Sequence, residues 1–332
     1  DLSGPSVPGP GASAPLAVEI CCGSANLSFH LQQLGFSVTP IDWKGNRFTP
    51  KVPQESFDLT VPSGQSLLWS ALASPRLAFV HMSPPCGTAS RARERPLSAA
   101  ARSKGIPEPK PLRSEGFPLG LPTLARDFPQ EVTRVRKANV IYKLCADVAE
   151  ACTRRGVPWT IENPANSLFW FIPYVGNLLS HSSVGDVVFQ ACMHGSQRDK
   201  RTRLRSYPLP AFLPLAPMCD RSHQHMPWGT TKSGFDTRDE AEFPDLLCLR
   251  MSRLALSAAE KFFENLKSKN PDASMNADAS MPSRSSSGPA HEPLHAHCAP
   301  HVLASASVTA IDRKSTRLNS SHSSVSRMPS SA

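Results

Sequence analysis

Short apolar runs alternate with helical stretches from about residue 16 to about residue 269. Leu16–Cys21 is almost uninterruptedly apolar and predicts a buried strand. A turn at Gly23 and a helix over Leu27–Leu34 follow, and Ser37–Ile41 predicts a second strand that stops at Asp42. Ala78–Met82 and Pro158–Ile161 predict two more strands. Each runs into proline within a few residues, and proline lacks the amide needed to continue a ladder of hydrogen bonds. The longest helix is expected over about residues 130–154, where Val135, Ala138, Ile141, Cys145, Val148 and Cys152 recur at spacings of three and four; Gly156 and Pro158 end it. Gly185–Gln190 predicts a further buried strand and Asp245–Leu266 a closing helix. Strands and helices in this alternation predict an α/β fold with a mostly parallel sheet and helices on both faces. Such folds build their sites along the carboxyl edge of the sheet.

Outside that stretch the pattern is lost. Residues 1–15 are rich in Pro, Gly and Ser and read as a linker; residues 269–311 have no apolar periodicity and read as a disordered tail. Residues 312–332 resemble translated sequencing-adapter sequence and are expected to be a non-native tail. The chain begins with Asp, so the natural N-terminus is expected to lie upstream. A net charge of +9 favours an anionic partner, nucleic acid first. The charge is also clustered: Arg91, Arg93, Arg95, Arg102, Lys104, Lys110 and Arg113 face only Glu94 and Glu108 in that segment. The nine cysteines include no C-x-x-C pair, which predicts a reduced, intracellular protein. No signal peptide is expected, and no run of about 18 apolar residues could span a membrane.

Two strand ends carry the candidate chemistry. One reads Ser83-Pro84-Pro85-Cys86 and the other, about 75 residues later, Glu162-Asn163-Pro164: a thiol and a carboxyl, each fixed by a proline turn on the same edge of a parallel sheet. The first strand ends in Glu19-Ile20-Cys21-Cys22-Gly23-Ser24-Ala25-Asn26, whose small residues let the backbone approach a ligand. Asp42 follows Gly23 by 19 residues, the distance at which an acid takes ribose hydroxyls.

In that order these motifs resemble the C5-cytosine methyltransferases, most closely the divergent dinoflagellate and algal type, over about residues 16–250. The resemblance implies a Rossmann-like S-adenosylmethionine-dependent methyltransferase fold, with a catalytic domain over 16–204 and a short recognition region and closing helix over 205–268. Glu19-Ile20-Cys21-Cys22-Gly23 is similar to the family's Asp-Leu-Phe-Cys-Gly cofactor turn, and Asp42-Trp43 to its acid–aromatic pair for ribose and adenine. Asp58-Leu59-Thr60 resembles the motif whose acid takes the adenine amino group, so Glu19, Cys21, Cys22, Gly23, Ala25, Asp42, Trp43, Asp58 and Pro84 become the expected S-adenosyl-L-methionine residues. Pro85-Cys86 matches the catalytic Pro-Cys, and Glu162-Asn163-Pro164 its Glu-Asn-Pro. The family's Gln-x-Arg-x-Arg motif has an approximate match in Gln197–Arg203. The resemblance therefore implies Cys86, Glu162 and Asn163 as catalytic residues, and Ser83, Pro85, Arg91, Arg93, Pro164, Arg198, Lys200 and Arg201 as substrate contacts. The family's C-terminal segment that completes the cofactor pocket has no visible counterpart after Leu254.

The residue types suit the implied chemistry. Cytosine C5 is a poor nucleophile until a thiolate adds at C6, which splits one hard step into two. The thiol must ionise, with Arg91 and Arg93 as the expected nearby cations. Glu162 would hold and protonate the base at N3, and a duplex substrate would require base flipping. The implied partner is nucleic acid, DNA before RNA, for a monomer located in the nucleus. Two alternatives stay open: methylation of an exocyclic base amine, whose enzymes resemble Ser83-Pro84-Pro85 at the same strand end, and a catalytically inactive nucleic-acid-binding relic. The expected metal content is none. Cys192, His194, Cys219, His223 and His225 do fall within 34 residues, a set rich enough for zinc, but the C-x-H spacing is unusual for a structural finger.

Overall fold

A computed structural model describes residues 14–97, 99–103, 105, 108–228, 230–231, 234–235 and 240–269. The expected tails, apart from residues 14, 15 and 269, lie outside the described residues, as does Lys104. In chain order the elements are β1 (Leu16–Ile20), α1 (Asn26–Gln33), β2 (Ser37–Asp42), β3 (Glu55–Ser56), α2 (Pro62–Leu72) and β4 (Leu77–Met82). Two short helices, α3 (Ala99–Ser103) and α4 (Leu124–Asp127), precede the long α5 (Pro129–Arg155). Then come β5 (Trp159–Pro164), α6 (Pro173–Gly176), β6 (Gly185–Gln190), β7 (Arg201–Tyr207), α7 (Leu209–Phe212), the small hairpin β8 (Thr230–Thr231) and β9 (Gly234–Phe235), and α8 (Asp245–Lys269).

Seven strands form one sheet in the order β3-β2-β1-β4-β5-β7-β6, and β7 runs against the direction of the other six. Helices cover both faces. On one, α5 lays Ala138, Tyr142, Cys145, Val148 and Cys152 against Ile20, Val80 and Met82. On the other, Leu27 and Leu31 of α1 meet Cys248, Met251 and Ala255 of α8 over Ala17 and Phe79. Each large aliphatic side chain removed from water contributes about 1.5–3 kcal/mol, which is why the stripe spacing places α5 so firmly. Pro129 starts α5, where its missing amide costs nothing, and Gly156 ends it in the left-handed region at φ 76°. This is the expected α/β architecture, a mostly parallel sheet with helices on both faces.

Two expectations need correction. β5 does not stop at Ile161; it runs through Glu162, Asn163 and Pro164, because β7 pairs with those residues on the side away from β4. The expected boundary after residue 204 falls inside β7, a strand of the main sheet.

Candidate active site at the carboxyl edge of the sheet

β1, β4 and β5 end side by side, so the turn after Ile20, the Ser83–Cys86 loop and Glu162 share one edge. Beneath them, His81 is fully buried and joins the strands: its Nδ1 lies 2.7 Å from Thr160 Oγ1 and its Nε2 2.8 Å from Ser83 Oγ. Burial pushes His81 down to about 3, so the imidazole is a neutral strut.

The Pro-Pro-Cys loop is fastened from both sides. Asn163 Nδ2 donates to the Pro84 carbonyl at 3.1 Å, and Tyr142 Oη donates to the Pro85 carbonyl at 2.6 Å. Tyr142 is in turn backed by Arg113, whose guanidinium lies over its ring and donates to Thr88 Oγ1 at 2.9 Å and Asn139 Oδ1 at 2.6 Å. Arg113 is 1% exposed, so it belongs to this support and not to a surface patch. Sequence reasoning missed it because it stood among other basic residues; its one distinguishing signal is an apolar setting, Pro111-Leu112 before it.

Cys86 and Glu162 face a shared electrostatic environment. Burial raises the Cys86 thiol; Lys200 and Arg134 oppose that rise, while Glu162 adds to it. The cations that act on the thiol are therefore Lys200 and Arg134, which corrects the expectation of Arg91 and Arg93. Arg91 is paired with Glu94 and Glu115, and Arg93 with Glu131 at 3.3 Å. Arg102 donates to the Leu97 carbonyl, so much of the basic run from 91 to 113 is internally satisfied. Arg134 approaches closely because residue 87 is glycine: a Cβ there would lie 2.8 Å from Arg134 Nη2.

Glu162 is buried, and burial raises its carboxyl against the opposing pull of Lys200. Lys200 Nζ lies 3.6 Å from Glu162 Oε1, an ion pair too long for a hydrogen bond. Glu162 Oε1 and Asn163 Oδ1 are both buried without a hydrogen-bond partner among the described residues. Pro164 accepts from Trp170 Nε1 at 2.9 Å, and Pro85 is exposed at the rim. Lys200 reaches the site because it directly precedes β7, whose reversed direction starts it where β5 ends. Arg201 opens β7 opposite Gln190 and is exposed, whereas Arg198 is held by Glu240 at 2.9 Å.

On the β1 side lies a pocket of about 340 Å³, lined by Glu19, Cys21, Cys22, Gly23, Ser24, Asn26, Leu27, Phe48, Ser83 and Ala241–Phe243. The turn at its base takes the left-handed conformation at Cys21, Gly23 and Ala25, with φ of 59°, 56° and 53°. Ala25 precedes α1 and has no side chain with which to cap it. Glu19 supplies the cap from β1, accepting from Ser28 N at 2.9 Å and Ser28 Oγ at 2.5 Å. Burial raises Glu19 to about 7, with the Ser28 hydrogen bonds opposing the rise. Asp42 accepts from Gly23 N at 2.8 Å and Trp43 N at 2.8 Å, so it braces the turn from β2. Burial raises Asp42, and these two amides oppose the rise.

Not every expected cofactor residue gathers here. Asp58 is exposed and accepts from Thr60 N and Oγ1 in the turn before α2, and it does not line this pocket. Trp43 is 63% exposed, folded over Gly45. Ser83, expected on the substrate side, lines this pocket. Ala241–Phe243 close the pocket, and α8 packs on α1, with Asn26 Nδ2 donating to the Phe243 carbonyl and Asp245 Oδ1, each at 2.9 Å.

The five candidate metal residues divide. His194 is buried, with Nε2 3.0 Å from the Leu215 carbonyl and Nδ1 3.1 Å from Arg250. The other four come together.

Neither a protein-family profile nor a curated protein matches the sequence. Among solved structures the chain is similar to the Entamoeba histolytica methyltransferase EhMeth, at 13% identity and TM-score 0.33, covering 64% of this chain and 57% of that one. It is also similar to a DNMT2 mutant from Spodoptera frugiperda, at 10% identity and TM-score 0.32, covering 58% of this chain and 50% of that one. The chain spans between half and three-fifths of the length of these structures. The strand order, and not this distant likeness, carries the fold assignment.

Proposed function

We propose that the protein transfers a methyl group from S-adenosylmethionine to C5 of cytosine in nucleic acid, DNA before RNA. The observation that carries this reading is the pairing of Cys86 with Glu162 on adjacent strand ends, where Glu162 Oε1 and Asn163 Oδ1 are buried without a hydrogen-bond partner among the described residues.

The residues around the β1 turn fit the cofactor. Three left-handed residues bare the backbone along the floor of the pocket, which suits a ligand that approaches the main chain. Cys21–Asn26 and Ala241–Phe243 would hold the cofactor, with Asp42 bracing the turn and Trp43 at the rim. When bound, it supplies an electrophilic methyl group.

The chain's own residues do the rest. Glu162 and Asn163 present acceptors to a cytosine edge, which carries an amino donor at N4. Burial raises the Glu162 carboxyl, which favours the form that can share a proton with N3 and draw electrons from C6. Lys200 and Arg134 favour the Cys86 thiolate, whose sulfur adds at C6 and makes C5 nucleophilic. After methylation, loss of the C5 proton to water and cleavage of the Sγ–C6 bond restore the ring and the thiolate.

The test is incubation with cofactor and oligonucleotides carrying 5-fluorocytosine, as DNA and as RNA. Fluorine cannot leave C5 as a proton does, so a covalent adduct at Cys86 should accumulate and be absent in Cys86→Ser. No adduct on either nucleic acid would refute the C5 mechanism. Methyl transfer that survives Cys86→Ser would point to an exocyclic amine, and absence of cofactor binding by calorimetry to an inactive relic.

A further inference from the structure

We infer that Cys192, Cys219, His223 and His225 form a structural zinc(II) site, separate from the methyl-transfer site. One ligand atom from each residue lies within 4.8 Å of all the others. Cys219 Sγ is 3.7 Å from His223 Nε2 and 3.4 Å from His225 Nε2, and the two Nε2 atoms are 3.1 Å apart. A tetrahedral zinc ion with bonds of about 2.3 Å to sulfur and about 2.05 Å to nitrogen requires sulfur–nitrogen edges of about 3.6 Å and nitrogen–nitrogen edges of about 3.3 Å. The donor atoms of Cys219, His223 and His225 already lie close to those separations, and a Cys192 ligand atom is within 4.8 Å of each.

A second, independent feature concerns the sulfur. The backbone N–H of Arg221 donates to Cys219 Sγ at 3.2 Å, and Arg221 adopts φ 65° to aim it. A left-handed arginine is an unfavourable conformation. Donation of an amide to the sulfur two residues back favours the thiolate, the form that binds metal. Two thiolates around a divalent ion make a neutral centre. Two sulfur and two imidazole donors select zinc over magnesium or calcium, and four protein ligands leave no position for a substrate.

The position explains what the ion would do. Cys192 lies just after β6, and the other three ligands lie in a loop that β-sheet pairing does not hold. Cys219 N donates to Gln190 Oε1 at 2.9 Å and Met226 N to the Gln197 carbonyl at 2.9 Å, so the loop rests on the connection that leads to Lys200. Zinc would lock that connection to the end of β6.

The test uses the full chain purified with zinc and, separately, refilled with cobalt(II). We expect about one zinc per chain and the intense visible bands of tetrahedral cobalt with sulfur ligands. Cys192→Ser and His225→Ala should each weaken metal affinity by more than about tenfold, the loss known even for outer-shell changes. Cys86→Ser should keep the metal. The cobalt spectrum of the unaltered chain decides the matter even if a variant does not fold. A weak octahedral cobalt spectrum, metal content unchanged in both ligand variants, or a Cys192–Cys219 disulfide in place of metal would each overturn the proposal.

Discussion

Replacing Glu19 by glutamine should make the fold less sensitive to alkaline pH. Burial raises the Glu19 carboxyl from 4.5 to about 7. At about 1.4 kcal/mol per tenfold change in proton affinity, this corresponds to about 3 kcal/mol. The folded state binds the proton more tightly than the unfolded chain, so the stabilisation is complete below about pH 4.5. It is lost as the pH rises through about 7, where the buried carboxyl ionises. The glutamine oxygen can accept from Ser28 N and Oγ as the carboxylate does, and it does not titrate. Urea unfolding at pH 5 and pH 8.5 measures the effect. Wild type should lose about 2–3 kcal/mol more than Glu19→Gln across that interval, whatever constant offset separates them. His81 and the remaining carboxyls are common to both proteins and cancel. Parallel free-energy curves for the two proteins would refute the reasoning, because they would place the ionisation of Glu19 outside this range.

Two further outcomes follow from the support around Cys86. Lys200→Gln removes a cation 3.6 Å from Glu162, an interaction of about 1–5 kcal/mol between aqueous and protein-like screening. The Glu162 carboxyl then rises further, so the drop in melting temperature should be larger at pH 8, where an unpaired carboxylate is forced, than at pH 5; an equal drop at both would count against the pair. Arg113→Met strands the acceptors Thr88, Asn139 and the Pro118 carbonyl, at about 3 kcal/mol or more. Thermal melting should fall by roughly 6–12 °C, and Arg113→Lys should not restore it, since an ammonium cannot reproduce the fork. A melting temperature within about 2 °C of wild type would refute the support role.

The sequence disclosed most where one physical signal dominated. Uniform apolar runs placed β1, β4 and β6, and the three–four stripe placed α5 within a residue or two, although Tyr142 and not Ile141 fills the buried position. β7 escaped because its outward positions are arginines, one of which is buried: Arg205 pairs with Asp186 at 2.7 Å and lies over Trp170. Its signal is the period of two in Thr202, Leu204 and Ser206. Cys86, Glu162 and the β1 turn were legible because proline and glycine punctuate them. Lys200, Arg134 and Arg113 were not, since a cation's partner is a matter of three-dimensional approach. The metal-type cluster was half legible: the residues were visible, and only the fold could separate His194 from the other four.

The docking of α8 on α1 has a consequence for the order of synthesis. Asn26 bonds partners 217 and 219 residues further along, and Ala241–Phe243 wall the pocket that begins at Cys21. A nascent chain that has emerged as far as α7 carries all seven strands of the main sheet but an open pocket. Loop closure over such a separation is slow relative to local helix formation. A closed pocket therefore arrives late, with α8, and a ribosome-bound intermediate would display the β1 turn to solvent until then.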